Sequence, residues 1–130
     1  MTFKSHKQLL ALVAVAALGL PSASLAHGST KPQHGGVVQM SGETVVELVY
    51  GPAGVALYVK EDDEDVDSAD MTATLTITTV AGAKSDVQLK PAGGNKFEAK
   101  DVVIPAGSKV GIMLIDNVTQ ARSSVTFAIR

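Results

Sequence analysis

Thr72-Ala73-Thr74-Leu75-Thr76-Ile77-Thr78 is the stretch that decides the fold. Ala73, Leu75 and Ile77 fall on one side of an extended chain and the four threonines on the other. This alternation is the mark of a half-buried β-strand. The same period recurs on both sides of it. Val46, Leu48 and Tyr50 line one face of a segment whose other face carries Val45, Glu47 and Val49. Val87 and Leu89 alternate with polar residues, as do Phe97 and Ala99, and Val125, Phe127 and Ile129. Val55 to Lys60 and Val110 to Ile115 are apolar at both parities, which suits strands covered on two sides.

The punctuation agrees with this reading. Pro-Ala-Gly occurs at Pro52, Pro91 and Pro105, each time between strand-like runs. Proline presets φ for a turn and glycine accepts the positive φ that follows. Gly82 and Asp116-Asn117 mark two more turns. No helical stripe of useful length is present after residue 37. Seven to eight short strands at this spacing predict an all-β domain, an antiparallel immunoglobulin-like β-sandwich over residues 37–130.

Upstream of that domain the pattern changes. Lys4, His6 and Lys7 precede an apolar run from Leu9 to Leu20, and Pro21 to Ala26 supplies small residues at the positions before His27. This is the layout of a secretory signal peptide over residues 1–26, with cleavage before His27. About twelve apolar residues would span only ~18 Å as a helix, too short for a bilayer core of ~30 Å. The expectation is therefore an exported, periplasmic protein with no membrane span after cleavage. Residues 27–36 read as a flexible N-terminal segment.

Composition narrows the chemistry. The 130 residues include no cysteine, which excludes disulfides, thiolate metal sites and a cysteine nucleophile. A net charge of −2 and a pI near 5.8 give no basis for a nucleic-acid partner. Gly-x-Ser-x-Gly, His-Glu-x-x-His and phosphate-binding glycine loops are all missing, so the chain does not read as an enzyme.

Three features carry possible chemistry. The first is His27-Gly28-Ser29-Thr30-Lys31-Pro32-Gln33-His34-Gly35-Gly36. Cleavage after Ala26 would leave His27 with a free α-amine beside its imidazole, able to chelate one metal ion. His34 would add a second imidazole, and this nitrogen-rich set favours Cu(II) among the divalent ions. The alternative is a solvated tail with two ordinary histidines. The second feature is Glu61 to Asp70, seven carboxylates in ten residues. Asp63, Asp65 and Asp67 have the spacing of a calcium-loop start, but Ser68 and Thr74 occupy the places of its glycine and glutamate. A solvated acidic loop is the plainer reading. The third is Met40, Met71 and Met113, which are too scattered for a methionine-rich copper site. Met113 is expected in the core.

Pro32-Gln33-His34-Gly35-Gly36-Val37-Val38, with Glu47-Leu48-Val49 and Leu57-Tyr58-Val59, resembles a small sandwich segment of adaptor subunits from heavy-metal efflux pumps. It is also similar to stand-alone exported proteins of that shape. The resemblance runs from Pro32 to Val80, and His34-Gly35-Gly36 is its distinctive part. It implies handling of copper or a related metal in the periplasm, with His34 as a ligand. The hairpin, lipoyl-like and barrel parts of an adaptor are not recognisable, so a pump role does not carry over. The N-terminal histidine also resembles that of copper-binding sandwiches of the copper-resistance type. The expected function is an exported metal-binding protein with copper at His27 and His34. The alternative is a non-catalytic module that binds another envelope protein and no metal.

Overall fold

The computed structural model describes residues 30–130. The expected signal peptide and His27 lie outside the described residues. The described residues form nine strands: β1 (Val37–Ser41), β2 (Thr44–Gly51), β3 (Gly54–Glu61), β4 (Glu64–Asp65), β5 (Met71–Thr78), β6 (Lys84–Pro91), β7 (Lys96–Lys100), β8 (Lys109–Asp116) and β9 (Arg122–Ala128). One short 3₁₀ turn, Ser68–Asp70, leads into β5. Every pairing is antiparallel. The all-β class and the antiparallel pairing expected from the alternation are both present. Among the described residues no helix is long and apolar enough to cross a membrane.

The strands follow one continuous path, β1-β2-β3-β7-β6-β5-β8-β9, with β4 added to β3. β6 makes the corner. It pairs with β5 over Lys84 to Leu89, then with β7 through Lys90 and Pro91, where the missing proline N–H ends the ladder. β9 returns beside β1, so the sheet is nearly closed as a barrel. β1 and β9 share no ladder, and a hydroxyl contact of 3.3 Å joins Thr44, at the start of β2, to Ser123 of β9.

The inner faces meet in one core. Val46, Leu48, Val55, Leu57 and Val59 face Ala73, Leu75, Ile77, Phe97, Val110, Ile112, Leu114 and Phe127. This is the period-two apolar set, and its removal from water supplies the main driving force. β3 and β8 differ from expectation because a nearly closed sheet has only one inside. Their second apolar parity faces outward, which leaves Met113 38% exposed rather than in the core. Met71, by contrast, is buried.

β2 is the exception to the one-sided rule. Val46 and Leu48 point into the core, yet Val45 and Glu47 on the opposite face are also buried. Chain lying outside the barrel must cover them.

Candidate functional site

The ladder registers place Val38, Glu47, Tyr58 and Lys96 in one row across β1, β2, β3 and β7. Parity sets the row on the outer face, because neighbouring Leu48, Leu57 and Phe97 fill the core. Glu47 is only 5% exposed there. A buried carboxylate needs partners, and the segment preceding β1 provides them. The Gln33 amide donates to Oε1 at 2.9 Å, while the amides of His34 and Gly36 donate to Oε2 at 2.8 and 2.9 Å.

Two glycines make that approach possible. Gly35 has φ +76°, the left-handed region that glycine enters at little cost. Gly36 lies so close to β2 that a Cβ there would stand 2.2 Å from the Leu48 carbonyl oxygen. Any larger residue would push the segment away from the sheet. The sequence suggests a flexible link over residues 27–36; within it, Gln33 to Gly36 is tied to β2 by these three bonds.

Electrostatics follow from the bonding. Burial raises the Glu47 pKa, but the amides of Gln33, Gly36 and His34, and the charge of the His34 ring, outweigh it. The net effect holds the carboxyl below the ordinary glutamate value of 4.5. Glu47 therefore stays ionised and acceptor-only at neutral pH, as its three donors require.

The same geometry lays the His34 ring flat on Tyr58. The ring centroids are 3.5 Å apart and the planes differ by 5°. Lys96 Nζ lies 5.9 Å from the Tyr58 centroid. Among the described residues, His34 makes this stack and its backbone bond to Glu47, and its ring nitrogens have no hydrogen-bond partner. The imidazole is thus held by its face and by its backbone, while its nitrogen-bearing edge remains available to a ligand. The ring borders a cleft of about 280 Å³ whose walls include Lys31, Lys60, Asp63, Asp65 and Asn95.

The acidic segment forms the far side of this cleft and the loop beyond it. Asp62 and Asp63 occupy the tight turn between β3 and β4 with φ of 53° and 67°. Asp65 lies 3.9 Å from Lys60 and accepts a 3.4 Å bond from Asn95. Asp67 accepts the Ala69 amide and caps the 3₁₀ turn. These contacts give Asp65 and Asp67 structural roles. Among the described residues, no three His, Asp or Glu side chains converge as a metal ion requires.

Of the two histidines singled out in the sequence, His34 sits at the latched segment and His27 lies outside the described residues. Met40 is half-buried on β1, and the structure gives it no contact with His34. Sequence reasoning assigned no role to Glu47 or Tyr58. A signal for Glu47 was present: it is the one charged residue inside the apolar run Val45-Val46-Glu47-Leu48-Val49. Tyr58 carried no comparable signal, because its role depends on the register that aligns it with Glu47. Comparisons with protein-family models, curated proteins and solved structures gave no match to this chain.

Proposed function

We propose that this is an exported metal-binding protein of the periplasm, in which His34 acts with an N-terminal His27 to bind copper. The observation that supports this reading is the His34 ring: stacked on Tyr58, latched through its backbone, and with both ring nitrogens unbonded among the described residues. Two imidazoles and an α-amine form a nitrogen-rich set that suits Cu(II). His34 lies seven positions after His27, a reach of at most about 25 Å, so the chain can bring His27 back to His34. The barrel then serves the part expected of an immunoglobulin-like sandwich, a rigid carrier for a short ligand-bearing arm. The reading involves binding and no catalytic step.

The test is a Cu(II) titration of protein beginning at His27. It is compared with a form carrying one extra N-terminal residue and with His34→Ala. Each change is expected to weaken binding at least about tenfold, or ~1.4 kcal/mol. Affinity should also fall with acidification, because the ligands must lose their protons to bind. Equal affinity in all three proteins would refute the paired-histidine site. A module that binds another envelope protein without metal would then be the better account.

A further inference from the structure

Glu47 is buried beside the cleft, and its carboxylate is occupied by three amides of the arm that carries His34. Its two oxygens accept from three amides within four residues, and these residues are 11 to 14 positions away in the chain. A metal ligand on a mobile arm must be ordered when the ion arrives, and that ordering weakens affinity. An arm already fixed avoids this cost. We infer that Glu47 is the positioning residue of His34: its carboxylate sets the imidazole on Tyr58 before any metal is present. The inference rests on the copper reading for its purpose, though it can be tested without metal.

Three observations converge on it. The carboxylate is buried on a sheet face where an apolar residue would otherwise fit, as at neighbouring Val45. Its bonds from Gln33, His34 and Gly36 all come from the arm. The arm has a glycine at the one place where a Cβ would strike β2. Tyr58 adds the platform, because the strand register sets it opposite Glu47. The cleft that Glu47 lines is bordered also by Lys31 and His34 of the arm, Tyr58 and Lys60 of β3, and Asp63 and Asp65.

The experiment uses the protein as the cell delivers it, first without metal. Two signals report the latch: slow exchange of the His34 and Gly36 amides, and the ring-current displacement of His34 protons by Tyr58. Glu47→Ala is expected to abolish both. Glu47→Gln should give a graded result, because its one carbonyl oxygen can still accept from His34 and Gly36 while its amide end cannot accept from Gln33. Tyr58→Leu should remove the ring-current signal and keep the slow amides. Gly36→Ala, which leaves Glu47 untouched, should lift the arm as Glu47→Ala does. It keeps the test open if Glu47→Ala fails to fold.

Cu(II) is then added, and Tyr58 fluorescence is followed in a Tyr50→Phe background. Glu47→Ala and Gly36→Ala should each weaken the His34-dependent binding about tenfold, with Glu47→Gln between them and the parent. Retained slow exchange and ring displacement in Glu47→Ala would overturn the inference. Where the parent's copper binding depends on His34, unchanged copper affinity in a variant whose arm has been released would overturn it as well. If copper binding in the parent ignores His34→Ala, the copper reading fails, and the metal-free signals still support the latch.

Discussion

Asp116 and Glu47 each collect more than one backbone amide, and they do it at opposite scales. Asp116 accepts from Val118 and Thr119 at 2.8 and 3.0 Å, folding its own following residues into the turn between β8 and β9. Glu47 accepts three amides from a segment 11 to 14 residues earlier. Asp116 is a local device, half-buried at the end of β8, and its carboxylate bonds stay within its own turn. Glu47 is buried and joins a separate arm to the sheet. The difference teaches that similar hydrogen bonds shape a turn in one case and place a functional side chain in the other.

The comparison breaks first at Glu47. Glu47→Ala should destabilise the domain by about 2 kcal/mol, the scale of losing charge-assisted hydrogen bonds with partial recovery by water. That is roughly a 10 °C fall in melting temperature for a domain of this size. A change below roughly 0.5 kcal/mol would put Glu47 in the same class as an exposed turn residue.

Acid sharpens the contrast. Burial raises the Glu47 pKa, but the amide bonds and the His34 charge hold it below 4.5. A depressed folded-state pKa contributes stability above the unfolded value that is lost as pH falls through the folded one. The stability gap between the parent and Glu47→Gln should therefore persist from neutral pH to about 4.5 and close below it. Chemical denaturation at several pH values measures this. A gap that is independent of pH down to 2 would show that ionisation of Glu47 is not what holds the arm.

Asp116 should show the weaker version of both effects. Bonds from the Thr119 and Val118 amides hold its pKa below 3.8. Asp116→Ala should lower the melting temperature less than Glu47→Ala does, and should leave the His34 ring signal unchanged. Loss of that signal would mean that the two devices are coupled across the barrel.

The smallest effect is expected in the acidic loop. Changing Asp63, Asp65 and Asp67 together to asparagine should move stability by no more than about 0.5 kcal/mol without calcium. Asparagine can cap the 3₁₀ turn at 67 and accepts the left-handed backbone at 63. Lys60 and Asp65 form an exposed pair of little weight. A large calcium-dependent rise in the parent's melting temperature would instead make the loop a cation site.

These residues also show what could be read from sequence. The strands around Thr72–Thr78 and the turns at the Pro-Ala-Gly tripeptides were legible, because alternation and turn chemistry act over a few residues. The turn at Asp116-Asn117 was legible for the same reason. The route of the sheet was not, since pairing β3 with β7 joins Leu57 to Phe97 across 40 positions. Nor was the outward turn of Met113, which follows from the near closure of the sheet. His34 stood out as a candidate by residue type. Its anchor did not, because Glu47 meets the arm only after β1 and β2 have set the register.

The unladdered line between β1 and β9 affects how the whole molecule yields. A fully hydrogen-bonded barrel has its circumference set by strand number and stagger. Here β1 and β9 lie side by side with no ladder between them, and the hydroxyl contact of Thr44 on β2 with Ser123 on β9 lies beside that joint, so the joint is a soft part of the ring. Thermal swelling will open that joint before it stretches any ladder. β1 and β2 border the opening, and the arm bearing His34 is fastened to β2. As the ring widens, the arm will move with its own wall, and its distance to β9 will record the change in girth.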